Sequence, residues 1–302
     1  MGYKLAGFDV VGGVEIDPQM MNIYRKNFNP KHSYLEGVQS FRKRTDIPDE
    51  LFGIDVLDGS PPCSSFSMAG SREKAWGKKK KFREGQADQV LDDLFFDFIE
   101  ISKLLRPRIV VAENVKGLIN GVARGYVKMI FDQLAAAGYD TQLFLLNSSR
   151  MGVPQARERT FFVARRQDLK ISKLELRFDE KPIPVIDAIR GITGNTIEAL
   201  TPGIAKHWPN VMIGKSFSDA ADGSLFSWSK TDPMRPARTV TATHCQTHWN
   251  EPRLISKEEV VRIQSFPDDY DFMDAYGPYV CGMSVPPFMM QRVATKVAKT
   301  LL

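Results

Sequence analysis

Cys63 is the first residue of the chain with clear potential for chemistry, because it follows two prolines at a predicted strand end. The apolar run 54–57 predicts a buried strand, and Gly59-Ser60-Pro61-Pro62 predicts a tight turn after it. The prolines stiffen this turn and remove two backbone donors. Strand ends carry the sites of open α/β folds, so a cysteine held there is a candidate nucleophile. The alternative is that Cys63 is a small buried hydrophobic residue, as free cysteines usually are.

Three further polar clusters recur near predicted strands, in a fixed order along the chain. They are Glu113-Asn114-Val115, Gln155-Ala156-Arg157-Glu158-Arg159 and Arg235-Pro236-Ala237-Arg238-Thr239. Near the N-terminus, Glu15 ends a β-rich run and Pro18 opens a helix. An acidic residue at such a strand tip commonly binds the ribose hydroxyls of a nucleoside cofactor. The alternative is a carboxylate that caps the helix, a role that Asp17 fits well.

The elements that must position these residues alternate between strand and helix. Strands are predicted at 8–16, 109–112, 141–146 and 160–164, and amphipathic helices at 89–105 and 122–137. This order predicts an α/β fold with a doubly wound, mostly parallel sheet in a first domain, residues 1–166. Residues 167–250 are rich in Pro, Gly and Ser, which predicts a second, small irregular domain, residues 167–280. Residues 281–302 predict a C-terminal helix that packs back on the first domain.

The composition is that of an ordinary globular chain. It has 302 residues, 43% of them hydrophobic, and 41 basic against 36 acidic side chains give a net charge of +5. This mild excess permits a nucleic-acid partner without demanding one. Three widely spaced cysteines argue against a disulfide framework or a zinc site and favour a reducing, cytoplasmic compartment. No apolar run is long enough to span a membrane, so we expect no membrane partner.

A basic stretch, residues 67–90, begins a few residues after Cys63. It includes Lys78, Lys79, Lys80, Lys81 and Arg83 and is poor in aliphatic residues. A charge run is most often a solvated surface. A loop that closes over a phosphate backbone is the competing interpretation, because long loops inside a domain are usually functional or disordered.

Taken together, the motifs resemble those of the C5-cytosine DNA methyltransferase family over nearly the whole chain. Gly-Ser-Pro-Pro-Cys matches the nucleophile motif, and Glu113-Asn114-Val115 matches the ENV motif. Gln155–Arg159 matches QxRxR, and Arg235–Thr239 matches RPxxT. Arg262-Ile263-Gln264-Ser265-Phe266-Pro267 and Gly282-Met283-Ser284-Val285-Pro286 resemble the two C-terminal motifs. The ordered set is far more specific than any one match. The resemblance implies the Rossmann-like fold of class I S-adenosylmethionine methyltransferases, with residues 1–166 as the catalytic and cofactor domain and residues 167–280 as a small target-recognition domain.

The resemblance also implies a mechanism for DNA cytosine-5 methylation. The thiolate of Cys63 would add to carbon 6 of cytosine, and the resulting enamine would take a methyl group from S-adenosylmethionine. Glu113 would donate to ring nitrogen 3, and Arg159 would hold the 2-oxo group, with Arg157 supporting a phosphate or Glu113. Asn114 would shape the turn. The base must leave the duplex, so the basic loop would close behind it.

The remaining site residues follow from the same match. Glu15 would bind the ribose and Ile16 the adenine face, while Pro62, Leu94 and Ser284 would line the cofactor pocket. Simple core packing is the alternative for Ile16 and Leu94. Arg235 and Thr239 are expected at the double-stranded DNA, and no metal is expected.

The chain departs from the family at its start, where no F-x-G-x-G motif is found. We therefore expect that the first strand and the Gly-rich loop are missing, because of a misplaced start, a decayed prophage-like gene or a segment supplied by a second chain. Without such a second chain we expect a monomer. A truncated, inactive DNA-binding remnant is the alternative function, and a tRNA cytosine-5 methyltransferase is a lesser one. The target DNA sequence is not readable from the residues.

Overall fold

The computed structural model describes residues 1–61, 94–120, 124–193, 197–221, 223 and 225–301. These residues form two compact units. The sheet unit comprises Asp9–Leu146, Glu158–Leu176 and Lys296–Leu302, and the loop-rich unit comprises Met1–Phe8, Asn147–Arg157 and Arg177–Thr295. The QxRxR motif is divided between them, since Arg157 belongs to one unit and Arg159 to the other. The three domains predicted from the sequence stay a prediction.

The strands and helices of the described residues are mostly short. The strands are β1 (Gly12–Glu15), β2 (His32–Leu35), β3 (Val56–Gly59), β4 (Ile109–Val115), β5 (Tyr139–Asn147), β6 (Gln155–Ala156), β7 (Glu158–Arg166), β8 (Ser229–Lys230), β9 (Ala237–Arg238) and β10 (Gln246–Thr247). The α-helices are α1 (Gly2–Leu5), α2 (Pro18–Phe28), α3 (Val38–Phe41), α4 (Leu94–Leu105), α5 (Arg124–Ala136), α6 (Val185–Ala188), α7 (Pro202–Ala205), α8 (Lys257–Ile263), α9 (Gly277–Met283) and α10 (Pro287–Leu301). Short 3₁₀ turns lie at Asp49–Leu51, Lys116–Ile119, Ser148–Arg150, Gln167–Leu169, Trp208–Asn210 and Phe217–Asp219.

The central sheet has the strand order β3-β4-β7-β5, and β1 and β2 form a separate parallel pair. β3 runs parallel to β4, as the sequence predicts, with Val56 opposite Ile109. β7 is the exception, because it runs antiparallel to β4. The connection from β5 to β7, residues 148–157, is shorter than the crossover of about a dozen residues that a parallel neighbour requires. The sheet is therefore mixed at this point, within an α/β architecture.

Helices α4 and α5 cover one face of the central sheet. Val110 and Ala112 of β4 and Phe162 of β7 pack in one cluster with Phe95 of α4 and Ile130 of α5. The residues between them, such as Val111 and Phe161, are equally buried. Because successive side chains of a strand point to opposite faces, β4 and β7 are covered on both sides. This buried pair of strands is the rigid support for the polar residues at their ends.

Local sequence signals set several helix ends. Asp17 accepts hydrogen bonds from the backbone N–H of Gln19 and Met20, so the predicted cap of α2 is confirmed. Ser256 and Glu259 form the predicted capping box of α8.

The loop-rich unit has few long elements and its own apolar core. The core includes Val185, Val240, Val260 and Ile263, and Cys281 of α9. Helix α9 was not anticipated from the sequence. In the described part of the chain, no helix is long and apolar enough to cross a membrane.

Candidate active site

Glu113 and Arg159 meet where β4 ends and β7 begins. In the antiparallel register Val115 lies opposite Arg159, which places Glu113 and Arg159 diagonally on the same face of the sheet. The Nε atom of Arg159 is 2.8 Å from Oε1 of Glu113, and the two side chains are 14% and 10% exposed. A diagonal pair of this kind is within reach of a long side chain. The two ring-binding residues predicted from separate motifs are therefore brought together.

The environment of Arg159 balances burial against charge. Desolvation lowers the pKa of Arg159, and the neighbouring Glu113 carboxylate opposes that shift through its charge and hydrogen bond. Nη1 of Arg159 also donates to the backbone carbonyl of Glu158 at 2.8 Å. The Nη2 group has no partner among the described residues, so the guanidinium can hold Glu113 and still donate elsewhere.

Asn114 fixes the turn that leads to the predicted nucleophile. Its Nδ2 atom donates to the carbonyl of Pro61 at 3.0 Å, and its Oδ1 atom accepts from the backbone N–H of Val115 at 2.9 Å. Thr160 of β7 donates to the Asn114 carbonyl. The end of β4 is thereby tied to the chain two residues before Cys63. Pro62 and Cys63 themselves lie outside the described residues.

A close contact between β3 and α4 lies next to the same turn. An added Cβ at Gly59 would lie 2.4 Å from Cε2 of Phe98, a buried residue of α4. Glycine is therefore the residue that lets β3 and α4 approach here.

A second ion pair lies beside the first and was missed by the sequence reasoning. Nζ of Lys116 is 2.8 Å from Oε2 of Glu158, and both side chains are partly exposed. The only signal in the sequence is that Lys116 follows the ENV motif directly and Glu158 lies inside QxRxR. Two acidic and two basic side chains therefore lie close to these strand ends: Glu113, Glu158, Lys116 and Arg159.

The other half of the QxRxR motif takes part in a hydrogen-bond network of the loop-rich unit. The buried guanidinium of Arg157 donates from Nη1 to the Val240 carbonyl at 2.8 Å and from Nη2 to the Gly282 carbonyl at 3.0 Å. Val240 directly follows the RPxxT motif, and Gly282 is the first residue of the last C-terminal motif. These contacts are those of a positioning residue, and a direct role of Arg157 in catalysis stays a prediction.

Gln155 extends this network to a fourth motif. Its Oε1 atom accepts from the backbone N–H of Val240 at 2.8 Å, and its Nε2 atom donates to Oε1 of Gln264. Gln264 in turn donates to the Ser284 carbonyl at 2.9 Å. All of these groups are buried or half-buried, and β6 also pairs with β9 in parallel. Residues far apart in sequence are therefore held in one arrangement.

Comparison with known proteins decides the family. The family model for C-5 cytosine-specific DNA methylases matches residues 1–299. The chain belongs to this family. By family it is an S-adenosylmethionine-dependent DNA (cytosine-5)-methyltransferase.

Similar methyltransferases match over almost their whole length. Type II methyltransferase M.NgoPII of Neisseria gonorrhoeae is 27% identical, with 100% of this chain and 92% of the relative covered. Type II methyltransferase M1.HphI of Haemophilus parahaemolyticus is 30% identical, with coverages of 99% and 83%.

Two solved structures share the fold. A prophage-encoded E. coli protein described as a DNA modification methyltransferase superposes with a TM-score of 0.76 at 20% identity, covering 99% of this chain and 95% of the other. Spodoptera frugiperda DNMT2 gives 0.68 at 19% identity, with coverages of 98% and 95%. The α/β prediction is thereby confirmed as the Rossmann-like methyltransferase fold.

The cysteines of this methyltransferase differ in their suitability as nucleophiles. Cys245 and Cys281 are both free and buried. Burial raises the pKa of Cys281 to about 12, although the nearby Arg157 opposes the shift. A thiol in that state is protonated at neutral pH and unreactive. The candidate nucleophile predicted from the sequence, Cys63, is the remaining cysteine.

Among the predicted cofactor residues, Glu15 has a side chain whose chemistry fits a nucleoside. Glu15 is the last residue of β1, and its Oε1 atom accepts from the backbone N–H of Asp17 at 2.9 Å. A carboxylate can accept several hydrogen bonds, so Glu15 at the end of this parallel strand suits the hydroxyl donors of a ribose. Ile16 lies next to Gly37, and Leu94 is buried at the first described turn of α4. The roles of Ile16 and Leu94 stay predictions.

Three predicted contact residues have local partners. Ser284 donates from Oγ to the Val280 carbonyl at 2.6 Å at the end of α9. Thr239 donates to the Ala156 carbonyl at 3.1 Å, and Arg235 is largely exposed beside Asp232. Lys78, Lys79, Lys80, Lys81 and Arg83 lie outside the described residues.

Proposed function

We propose that the chain transfers a methyl group from S-adenosylmethionine to carbon 5 of a cytosine flipped out of double-stranded DNA, through a covalent adduct at Cys63. The observation that carries this proposal is the Glu113–Arg159 pair, 2.8 Å apart, beside the Asn114 tether to Pro61. An acid, a guanidinium and the approach to a cysteine converge at neighbouring strand ends. Attack on a pyrimidine ring requires these three kinds of group.

The protein residues act mainly on the base. The Cys63 thiolate forms a bond to carbon 6, and the electron pair moved into the ring is quenched at nitrogen 3 by a proton from Glu113. Arg159 donates to the 2-oxo group through Nη2 while Nε keeps Glu113 in place. The cofactor supplies, when bound, the electrophilic methyl group. The proton on carbon 5 then leaves to water, the bond to Cys63 breaks to release the thiolate, and nitrogen 3 returns its proton to Glu113.

The resting ion pair adds a requirement to this scheme. A guanidinium at 2.8 Å favours the carboxylate form of Glu113, which cannot donate a proton. Glu113 therefore takes up its proton as the base enters and desolvates the pair.

The test is covalent trapping on a duplex library that contains 5-fluorocytosine, in the presence of S-adenosylmethionine. Fluorine cannot leave as a proton does, so the adduct accumulates and is seen on a denaturing gel. We expect an adduct that Cys63→Ser abolishes and Cys245→Ser retains. Absence of any adduct with the unaltered chain refutes the proposal.

The two alternatives give different outcomes. An inactive DNA-binding remnant would bind duplex DNA in a salt-dependent manner and give no heat with S-adenosylmethionine in calorimetry. A tRNA methyltransferase would form its adduct preferentially on tRNA when both substrates compete. The relatives M.NgoPII and M1.HphI are Type II methyltransferases, which supports a role beside a restriction enzyme, and the prophage-encoded structural neighbour supports a phage origin.

A further inference from the structure

A chain of hydrogen bonds links three side chains of the loop-rich unit that are far apart in sequence: Glu198, Tyr276 and His244. The Tyr276 hydroxyl donates to the two carboxylate oxygens of Glu198, each at 3.0 Å. Nδ1 of His244 lies 2.7 Å from the same hydroxyl. A phenol has one proton and a carboxylate only accepts, so the Tyr276 proton is directed to Glu198 and His244 donates from Nδ1. The hydrogen bonds therefore fix the tautomer of the His244 ring.

The second ring nitrogen of His244 carries no proton in this tautomer. Nε2 is buried and has no hydrogen-bond partner among the described residues, and His244 as a whole is 5% exposed. The small cavity beside the ring has an apolar lining that includes Val240, Ile255, Val260 and Ile263. Burial lowers the pKa of His244, and the charge of Glu198 and the backbone of Ile255 oppose that shift. The ring is therefore neutral at pH 7, and a second proton would have to enter at a nitrogen that is shielded from water.

His244 also ends a turn with an unusual backbone. The turn comprises residues 241–244, called the latch turn below, and is closed by a hydrogen bond from the His244 N–H to the Thr241 carbonyl at 3.1 Å. The φ of His244 is 47°, in the left-handed region that side chains other than glycine rarely adopt. Such a conformation persists only where the surrounding contacts hold it. Removal of the ring from its site therefore favours opening of the latch turn.

The latch turn is held against helix α9 at two points. An added Cβ at Gly282, near the end of α9, would lie 2.3 Å from backbone atoms of Thr241 and Ala242. Tyr276, the partner of His244, is the N-cap residue of the same helix. The close approach at Gly282 and the hydrogen bond at Tyr276 therefore fix the latch turn near opposite ends of α9.

The same turn adjoins the backbone atoms that hold Arg157. Val240 directly precedes the latch turn, and the carbonyls of Val240 and Gly282 accept the two hydrogen bonds from the Arg157 guanidinium. Movement of the latch turn away from α9 would separate these two carbonyls. His244 is thus linked through the latch turn to a residue of the QxRxR motif.

We propose that His244 is a positioning residue that acts as a proton-sensitive latch: its neutral ring, bonded through Tyr276 to Glu198, keeps the latch turn on α9, and proton uptake at Nε2 releases the turn and loosens the hold on Arg157. A charged imidazole requires hydration that this buried site does not provide, so the ring must leave the site to carry a second proton. The catalytic consequence rests on the proposed function, whereas the latch itself rests on the contacts of the described residues.

Few titratable groups face the ring in the part of the chain that the structure describes. Glu198 and Tyr276 do so through the hydrogen bonds given above. Cys245 follows in the chain, and its thiol lies 3.1 Å from the Thr243 hydroxyl. Helix α8 lines the cavity with the apolar Val260 and Ile263. The charge that acts on His244 from its neighbours is therefore mainly that of Glu198.

The sign of the pH effect follows from the burial of the neutral ring. Because the pKa of His244 is lower in the folded chain than its ordinary value of 6.5, the stabilisation of the closed latch is present above about pH 6.5 and is lost as the pH falls. For one group with an ordinary pKa of about 6.5, the ratio of closed to open latch should fall by up to about tenfold between pH 7.5 and pH 5.5.

The test is hydrogen–deuterium exchange of the full chain, without DNA or cofactor, at pH 7.5 and 5.5. Mass spectrometry of peptides that cover residues 238–247, corrected for intrinsic exchange rates, should show protection that falls by up to about tenfold at the lower pH. His248 is a second buried histidine of the unit with a lowered pKa, so the difference between variants carries the information.

Three variants separate the latch from simple burial. His244→Asn should remove its share of the pH response, because asparagine tolerates the left-handed backbone and keeps an amide donor but takes up no proton. Tyr276→Phe should lower protection at pH 7.5 by about 2- to 12-fold, the scale of one hydrogen bond. His207→Asn, at another histidine of the same unit, is the matched control and should respond to pH as the unaltered chain does.

The outcomes decide the latch and its catalytic consequence separately. An equal pH response in His244→Asn and the unaltered chain overturns the latch, and so does the absence of any response in the unaltered chain. The ratio of 5-fluorocytosine trapping rates, unaltered chain to His244→Asn, should fall from pH 7.5 to 5.5, and identical profiles overturn the positioning role. The expected exchange without trapping in any protein would support the latch and refute the proposed methyl transfer.

Discussion

Replacing Arg157 by methionine separates a positioning role from a catalytic one. The substitution keeps much of the side-chain volume but removes two hydrogen bonds from a charged donor, at 2.8 and 3.0 Å, to buried carbonyls. Bonds of this kind contribute about 1.5–3 kcal/mol each, so we expect the free energy of unfolding to fall by about 3–6 kcal/mol.

Urea denaturation followed by tryptophan fluorescence measures this loss, because three of the four tryptophans report on the unit that contains Arg157. Trp208, Trp228 and Trp249 all belong to the loop-rich unit that contains Arg157. With a denaturant dependence of about 2 kcal/mol per molar urea, the midpoint should fall by about 2 M. Arg190→Met is the control, since Arg190 is exposed and, among the described residues, pairs only with the nearby Asp187, and it should change the midpoint little.

The result that would refute the reasoning is a midpoint within about 0.3 M of the unaltered chain, equivalent to about 0.6 kcal/mol. If stability were unchanged and covalent trapping were lost, Arg157 would act on the substrate rather than through Val240 and Gly282.

Three further predictions concern the ends of β3 and β4 and the buried thiol. Asn114→Ala should slow adduct formation on the order of tenfold to hundredfold by releasing the Pro61 carbonyl, as measured by single-turnover trapping; an unchanged rate would contradict this. Gly59→Ala should destabilise the fold by about 1–3 kcal/mol in thermal melts, because its Cβ collides with Phe98, whereas Gly125→Ala in α5 meets open space and should not. Cys281 should resist thiol reagents at pH 8 until urea unfolds the chain, as checked by peptide mass spectrometry. Labelling of Cys281 before unfolding would refute its burial as a neutral thiol. Because the pKa of Cys281 is raised from 9.0 to about 12 in the folded chain, its contribution to stability is present below pH 9.0 and is lost as the pH rises towards about 12.

Local signals in the sequence predicted the parts of the site that depend on neighbouring residues. The cap at Asp17, the capping box of Ser256 and Glu259, and the placement of Glu113 near a strand end all follow from short patterns. The family resemblance assigned Glu113 and Arg159 to the same pyrimidine ring but named Arg157 as the residue supporting Glu113 or a phosphate, whereas Arg159 is the arginine that pairs with Glu113.

Long-range contacts could not be predicted in the same way. Arg157 bonds to carbonyls 83 and 125 residues away, and no periodicity or spacing specifies such partners. The direction of β7 depends on its short connection to β5, whereas the sequence pattern of a buried strand is the same in either direction. The Lys116–Glu158 pair likewise depends on the register of two strands.

The pairing of β6 with β9 has a consequence for the evolution of new targets. Gln155 lies opposite Ala237, and the Ala237 N–H bonds to the Pro154 carbonyl, so residues 157–236 leave from and return to one fixed place. Lengthening a segment whose two ends are already pinned costs little additional closure entropy. Insertions or exchanged turns in the later part of this span, residues 177–236, can therefore be tried without displacing the anchors or β7, and the enzyme can acquire a new DNA preference while its chemistry is inherited unchanged.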